Sequence, residues 1–307
     1  MKFMWINDIH LRGRNSVHRI GNYFEDVLEK LQEVADIYQK NKCEFLIIAG
    51  DLFDSHTVSN SVVDEFVDII EDNGIKVYLI YGNHDLINCN LVASKASSVS
   101  HILRRSESFN HLLPYEVFED CEFLGIDYQF NIEDKIRKNG IIFDETDRFK
   151  IAVIHAFITE KPFHPNVNYV MAKDIKTNAD LVICSHFHEE FDIKSKNTRF
   201  VNLGAFGRLS VSEAKKQPKV ALVNTESQEV TILELMSAKK GHEIFDLTKY
   251  NELKKNKKDI KDFLERLNNV EWQSMDIKSQ IAKIGKEEKI EENVIDYIFE
   301  KIGDVNV

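Results

Sequence analysis

The chain alternates short apolar segments with stretches of helical periodicity, and this alternation limits the folds open to it. Continuous apolar runs end at Ile6, Gly50 and Gly82, and amphipathic segments over 17–41 and 58–72 separate them. Uninterrupted apolar strands joined by helices indicate parallel strands that are buried on both faces. We therefore expect an α/β fold in which helices cover the sheet.

The second half of the chain keeps the buried strands and adds shorter ones. Apolar runs end at His155 and His186, and the segment KVALVNTESQEVTILEL predicts a β-hairpin that turns near Glu226 and Ser227. This pattern predicts a second, more antiparallel sheet. Two mixed sheets packed face to face between helices form a four-layer αββα sandwich, which we expect over residues 1–235.

The last part of the chain has helical periodicity only. An apolar stripe through Ile290, Val294 and Ile298 is one of several that predict a helical appendage over 249–307, preceded by a linker at 236–248. The appendage either packs back on the core as a cap or docks a partner. The sequence leaves both open.

Composition and charge disfavour several classes of protein. The formal net charge of −11 argues against a protein that holds nucleic acid by bulk positive charge. No apolar run approaches the roughly 18 residues that a membrane span needs, and the N-terminus resembles a first strand rather than an export signal. Cys43, Cys89, Cys121 and Cys184 lack paired spacing, so we expect reduced thiols in a cytoplasmic protein.

Polar side chains of metal-binding types follow the buried strands. The carboxyl ends of the strands in an open α/β sheet border the crevice where ligands bind, so distant residues converge there. These ends hold Asp8, His10, Asp51, Asn83, His84, His155, His186 and His188. Nitrogen and oxygen ligands without thiolates suit manganese, iron or zinc in a catalytic site and match structural zinc poorly.

The number and spacing of these residues favour two ions. Side chains alternate along a strand, so Asp8 and His10 are expected to point the same way, as are His186 and His188 if the extended geometry persists. The candidate ligands exceed what one catalytic ion takes while it keeps a position open for water. Two ions that share a carboxylate suit the hydrolysis of phosphate esters.

The order of the motifs resembles that of the calcineurin-like metallophosphoesterases. The matching motifs are Asp-x-His at 8–10, GDLFD at 50–54, GNHD at 82–85, a lone His155, and His-x-His at 186–188. The resemblance covers residues 1–235, and GNHD after a buried strand is its most specific part. Within that superfamily, the phenylalanine in GDLFD makes the chain resemble the SbcD-type DNA repair nucleases most.

The resemblance implies a role for each residue of the set. The implied ligands are Asp8, His10 and His188 for a first ion, Asn83, His155 and His186 for a second, and Asp51 for both. His84 is implied as the proton donor to the leaving oxygen, or as a group that stabilises charge there. Asp54 and Asp85 are expected to orient a histidine, and a turn-forming role is equally open.

Two departures from the nuclease pattern affect the expected contacts with substrate. Arg12 stands where these nucleases often have glycine, and VNLGAFGRLS lacks their Pro-Gly-Ser turn. Arg12 and Arg14 are candidate phosphate contacts, with a solvated surface role as the alternative.

We expect Phe187 to pack away from its flanking histidines. We expect Phe157 and Phe163 to pack in the core, with a role in substrate access as the alternative.

The resemblance implies a metal-dependent hydrolase that cleaves the phosphodiester bonds of DNA as an exonuclease and endonuclease. Manganese is the expected metal, with iron, zinc or magnesium as alternatives. The expected partner in DNA repair and recombination is an SbcC-type SMC-like ATPase, and the family implies a homodimer. Two other functions remain open: a stand-alone phosphodiesterase for small cyclic or linear nucleotides, and a non-catalytic scaffold for the ATPase.

Overall fold

The computed structural model describes residues 1–248, so the helical appendage predicted at 249–307 lies outside the described residues. The strands are β1 Lys2–Ile6, β2 Phe45–Ile48, β3 Val77–Leu79, β4 Phe109–His111, β5 Pro114–Val117, β6 Cys121–Ile126, β7 Phe149–Ala156, β8 Ile158–Thr159, β9 Val170–Met171, β10 Leu181–His186, β11 Phe191–Ser195, β12 Thr198–Asn202, β13 Lys219–Asn224 and β14 Glu229–Glu234. The helices are α1 Tyr23–Asn41, α2 Asn60–Asp72, α3 Ser98–Arg105, α4 Ile132–Asn139 and α5 Gly241–Ile244.

The strands form two six-stranded mixed sheets and a small parallel pair, β8 with β9. The first sheet has the order β14-β13-β1-β2-β3-β4, with parallel pairing from β1 to β4 and antiparallel pairing of β13 with both neighbours. The second has the order β11-β12-β10-β7-β6-β5, with four parallel central strands and antiparallel edge strands. The predicted β-hairpin is the pair β13 and β14, but it lies in the first sheet. The expectation of a more antiparallel second sheet is wrong, because each sheet has two antiparallel and three parallel pairings.

Side chains alternate between the two faces of each strand, and this alternation builds three apolar layers. On β1, Phe3 and Trp5 face the second sheet, whereas Met4 and Ile6 belong to the layer under α1, α2 and α3. The strands of the second sheet divide in the same way between the first sheet and α4. Each such fully buried side chain stabilises the fold by about 1.5–3 kcal/mol. The predicted αββα sandwich is therefore confirmed.

Helix α1 begins later than its apolar spacing suggested, because Asn22 caps it. The Asn22 side-chain oxygen accepts a hydrogen bond from the Phe24 N–H at 3.1 Å, which sets the first turn at Tyr23. The buried Tyr23 hydroxyl lies 3.0 Å from the His10 carbonyl oxygen and donates to it. The helix thereby holds the loop that follows β1.

The segment predicted as a linker, 236–248, packs on the folded unit as far as Asp246. The Ile20 N–H donates to the Ile244 carbonyl at 3.0 Å, and the Asp246 N–H donates to the His18 carbonyl at 2.9 Å. These bonds pair the segment with the loop that precedes α1. The compact unit thus extends past the predicted boundary at 235.

The four cysteines are free thiols, as expected. Cys43, Cys121 and Cys184 are buried, and Cys89 is partly exposed. Within residues 1–248, no helix is long and apolar enough to cross a membrane.

Candidate active site

The predicted ligands meet where the carboxyl ends of both sheets adjoin. The first sheet contributes Asp8, His10, Asp51 and Asn83, and the second contributes His155, His186 and His188. The sheets are joined directly at this edge, because the His155 Nδ1–H donates to the Ala49 carbonyl at 3.0 Å. That bond fixes the ring so that His155 Nε2 faces the site.

One group of candidate ligands joins Asp8, His10 and His188, whose ligand atoms lie within 4.8 Å of one another. The Nε2 atoms of His10 and His188 are 3.1 Å apart. Asp8 is fully buried, and its Oδ2 has no hydrogen-bond partner among the described residues. A buried carboxylate oxygen without a partner is costly, and a cation held by these side chains would satisfy it.

A second group joins Asp51, His155 and His186 within the same distance. Asp51 Oδ2 lies 3.3 Å from His155 Nε2, and Asn83 Oδ1 lies 3.1 Å from the same nitrogen. The rings of His155 and His186 have centroids 5.0 Å apart. The two histidines of the HFH motif therefore fall in different groups.

Asp51 connects the two groups. Its Oδ2 lies 3.7 Å from His10 Nε2 and 3.3 Å from His155 Nε2. Its Oδ1 accepts the backbone N–H of His84 at 2.8 Å, which fixes the carboxylate between the groups. A carboxylate in this position could serve both groups of candidate ligands.

Burial and mutual charge set the protonation of these groups. Burial lowers the pKa of His10 to about 3 and that of His186 to about 3, so both imidazoles are neutral at pH 7 and can bind a cation. Burial also raises the pKa of Asp8 to about 6. Burial opposes charge on His155 as well, but the Asp51 carboxylate prevails and raises the pKa of His155 to about 9. Burial opposes the charge on Asp51 in turn, but His155 prevails and holds the pKa of Asp51 low.

The backbone is left-handed at four of the ligands. These are Asp8 (φ 45°), His10 (φ 48°), Asp51 (φ 50°) and His186 (φ 77°). Strand alternation does not carry through Asp8 and His10, because β1 ends at Ile6, yet both side chains reach the same group of candidate ligands. The extended geometry on which the expectation for His186 and His188 depended ends at His186, the last residue of β10. Left-handed backbone costs on the order of 1–3 kcal/mol per non-glycine residue and clusters at functional sites.

Two glycines allow the chain to pass close to the ligands. Gly50 has φ +88°, and a Cβ there would overlap the His155 ring. A Cβ on Gly82 would overlap the Asp51 carboxylate. Glycine is thus required at both positions by the site itself.

Glu213 orients His188 and was not among the predicted site residues. The His188 Nδ1–H donates to Glu213 Oε1 at 2.7 Å, and the Ser210 N–H donates to Glu213 Oε2 at 2.9 Å. Burial opposes the charge of Glu213, but the hydrogen bond from His188 prevails and lowers its pKa to about 2. The Ser-x-x-Glu spacing of a capping box at 210–213 was the only signal in the sequence.

His84 and Asp54 lie beside the first group. The His84 Nδ1–H donates to the Asp54 carbonyl oxygen at 2.8 Å, and the His84 ring is 4.8 Å from the His10 ring. The Asp54 carboxylate has its Oδ1 3.9 Å from His10 Nδ1. His84 thus borders the ligands with its Nδ1 occupied by a backbone contact.

Asp85 contacts backbone instead of a histidine. Its carboxylate accepts the N–H of Gly82 at 2.9 Å and that of Phe53 at 3.3 Å, and it has no histidine partner within the described part of the chain. It therefore ties the loops after β2 and β3 together. Burial, reinforced by the nearby Asp51, raises the pKa of Asp85 to about 7.

The two arginines proposed for phosphate contact differ. The Arg12 guanidinium donates to Asp54 Oδ2 at 2.7 Å and to the carbonyl oxygens of Arg14 and Asn15 at 2.9 and 3.1 Å. These bonds use one N–H of each nitrogen and tie Arg12 to the loop, which leaves two of its five N–H donors for another partner. Arg14 is exposed, and its side chain has no partner among residues 1–248.

The donor set fits divalent cations. Imidazoles, carboxylates and an amide oxygen converge without thiolates, and a cation would satisfy the unpartnered Asp8 oxygen. A mixed αββα sandwich with such a site defines a metal-dependent phosphoesterase. The chain belongs to the calcineurin-like phosphoesterase superfamily, whose domain model matches residues 1–228.

One relative has a described role in DNA repair. The DNA double-strand break repair protein Mre11 of Methanococcus maripaludis is 25% identical over 233 residues, which cover 71% of this chain and 60% of that protein. The chain thus spans less than two thirds of that relative.

Two solved structures are similar over 76% of this chain. One, titled a novel archaeal phosphodiesterase, is 18% identical, with 100% of its chain covered and a TM-score of 0.42. The other, a putative 5′-nucleotidase from Staphylococcus aureus, is 14% identical, with 52% covered and a TM-score of 0.45.

Proposed function

We propose that this chain is a two-metal phosphodiesterase that cleaves DNA. The observation that carries the proposal is the Asp51 carboxylate, which reaches a histidine of each ligand group at 3.7 and 3.3 Å. Two cations that share one carboxylate suit phosphate ester hydrolysis, because such ions acidify water and stabilise charge on both the entering and the leaving oxygen. Manganese is the proposed metal, with iron, zinc or magnesium as alternatives.

The proposed ligands follow the two groups. They are Asp8, His10 and His188 for one ion, Asn83, His155 and His186 for the other, and Asp51 for both. Glu213 positions His188, and Tyr23 holds the backbone of His10. In this scheme the protein orients the ligands before any ion arrives.

His84 is the proposed proton donor to the leaving oxygen. Its Nδ1–H is held by the Asp54 carbonyl, so Nε2 is the nitrogen left to exchange a proton with substrate. A histidine held beside the ligands suits this role, since histidine is the side chain that most often transfers protons in enzymes.

The proposed setting is DNA repair in the cytoplasm, with an SMC-like ATPase as partner and a homodimer as the assembly. The named role of the 25% identical archaeal relative supports DNA as the substrate. Residues 249–307 are the proposed docking element for the partner.

A small-nucleotide phosphodiesterase is the second candidate. The net charge of −11 and the internal pairing of Arg12 favour it, because both reduce attraction to a long polyanion. The test is to incubate the manganese-loaded protein separately with linear duplex DNA, single-stranded DNA and cyclic nucleotides. Cleavage of DNA is the expected result, whereas hydrolysis of cyclic nucleotides alone would favour the second candidate. Fewer than one bound ion per chain would favour a non-catalytic scaffold.

A further inference from the structure

Three phenylalanines form a ring cluster beside His186. Phe157 and Phe187 have centroids 4.7 Å apart, and Phe163 lies 5.2 Å from Phe157 and 5.5 Å from Phe187. The Phe157 ring is 5.8 Å from the His186 ring. We refer to Phe157, Phe163 and Phe187 as the aromatic platform. It adjoins the second ligand group directly.

The platform is only partly buried, contrary to the core packing expected for Phe157 and Phe163. Phe163 is 44% exposed, and Phe157 and Phe187 are half-buried. Phe163 and Phe187 line a cleft whose other lining residues include Thr159 and Phe191. An exposed set of aromatic rings next to a reactive centre is a surface for a flat apolar ligand.

The backbone beneath the platform is fixed. The Phe157 N–H donates to the buried carboxylate of Glu133 at 2.9 Å, and the Phe157 carbonyl accepts from the Val170 N–H at 3.0 Å. The Phe187 carbonyl accepts from the Asn202 side chain at 2.7 Å. Rings held in this way need little further ordering when a ligand stacks on them.

The charges around the cleft disfavour a phosphate there. Glu189 pairs with Lys216 at 2.8 Å, and Glu190 pairs with Lys219. Lys161 is 3.5 Å from the carboxylate of Glu160. Each of these lysines is thus matched by a carboxylate, which leaves the apolar rings as the main attraction of the cleft.

We propose that the aromatic platform stacks one unpaired nucleobase of the substrate beside the scissile phosphate. This inference rests on the proposed hydrolysis of nucleic acid phosphodiesters and adds to it a preference for frayed or single-stranded ends. Every nucleobase has a face that stacks on an aromatic ring, so the site accepts any base. A paired base is unavailable to it, because its faces are covered by its neighbours in the duplex.

The test combines a protein variant with an abasic substrate. Single-stranded oligonucleotides carry a tetrahydrofuran abasic residue at each position in turn near the cleaved bond, and kcat/KM is measured with manganese. In the wild type, kcat/KM is expected to fall about 5- to 20-fold when the base at one of these positions is removed. Phe163→Leu is expected to show the same loss on the intact oligonucleotide and no further loss on the abasic one. Phe163→Trp is expected to keep the dependence on the base.

Tyr115→Leu is the matched control, because Tyr115 is 48% exposed and lies on the edge strand β5, where its ring contacts Phe143. It is expected to behave as the wild type. If Phe163→Leu lowers kcat/KM by the same factor on the abasic oligonucleotide as on the intact one, the two losses are independent. That result would overturn the proposal. So would a change of oligomeric state in Phe163→Leu without any change in base dependence, which would identify a protein contact.

A binding measurement distinguishes failure of the aromatic platform from failure of the proposed hydrolysis. If the wild type cleaves no oligonucleotide, binding of 2-aminopurine mononucleotide is followed by its fluorescence. Quenching by the wild type and Tyr115→Leu, but not by Phe163→Leu, would support the platform without the nuclease. Equal quenching by all three proteins, or none, would overturn the platform as well.

Discussion

His188 donates its Nδ1–H to Glu213 across 2.7 Å, and this bond aims Nε2 of His188 at His10. Glu213 is itself held by the Ser210 N–H at the start of a short 3₁₀ turn, Val211–Glu213. One carboxylate therefore links a local turn to the orientation of a candidate ligand 25 residues earlier. The first prediction tests this link.

Glu213→Gln should weaken the first ion site by about 10- to 100-fold, because the neutral amide polarises His188 less. Isothermal titration with manganese measures the two affinities. Glu190→Gln is the matched control, since Glu190 is an exposed partner of Lys219. Unchanged affinity in Glu213→Gln, with the fold intact, would contradict the positioning role.

His188→Ala should remove one ion while the other remains. His188 belongs with Asp8 and His10, whereas the group of Asp51, His155 and His186 does not contain it. Metal analysis after dialysis is expected to fall from about two ions per chain to about one. Loss of both ions would mean that the groups do not bind independently.

Gly82→Ala should disrupt the site, because the new Cβ would overlap the Asp51 carboxylate. We expect a loss of about 1–3 kcal/mol in the free energy of unfolding together with weaker ion binding. Gly74→Ala is the control, since Gly74 has positive φ (+58°), which strains alanine, but no atom near its Cβ position. Urea unfolding and metal titration should show that Gly74→Ala loses stability alone.

His84→Gln should retain both ions and lose turnover by about 100-fold or more, as expected when a proton donor is removed. Metal analysis and single-turnover cleavage of DNA measure the two effects. Cleavage at the wild-type rate would show that His84 does not act on protons. Loss of an ion would instead make it a ligand.

Ion binding should release protons and strengthen as pH rises. In the ion-free protein the pKa of His155 is raised to about 9, so at pH 7 this residue carries a proton that must leave before Nε2 can bind a cation. Asp8, with its pKa near 6, is mostly ionised at pH 7 and protonated below its pKa. The apparent affinity should therefore increase from pH 5 to pH 9. Titration calorimetry in buffers of different ionisation enthalpy should show net proton release at pH 7, to which both His155 and His188 contribute, because both have raised pKa values.

Much of the fold could be predicted, because it depends on strand periodicity. Continuous apolar runs such as that around Ile47 are recognisable in isolation, and polar residues at their ends indicated where the sheets would meet. The ordered motifs then resembled one superfamily, to which the chain belongs. The αββα sandwich follows from these local patterns.

The rest depends on contacts that local patterns do not encode. Left-handed backbone at Asp8 and His186 breaks the alternation on which side-chain directions were predicted. Arg12 resembled a phosphate contact, yet Asp54 holds it. Glu213 contacts His188 from a loop 25 residues further along the chain, and only the tertiary fold brings the two together.

The hydrogen bond from the Ile20 N–H to the Ile244 carbonyl couples the end of the folded unit to the loop before α1. Tension on the chain beyond Asp246 would load the hydrogen bond between the Asp246 N–H and the His18 carbonyl, then the Ile20–Ile244 bond, and then the loop that leads back to His10. The Tyr23 hydroxyl, which clamps the His10 carbonyl, is the next anchor along that line. Force applied to the chain after Asp246 would therefore reach the backbone of His10, a candidate ligand, through these hydrogen bonds.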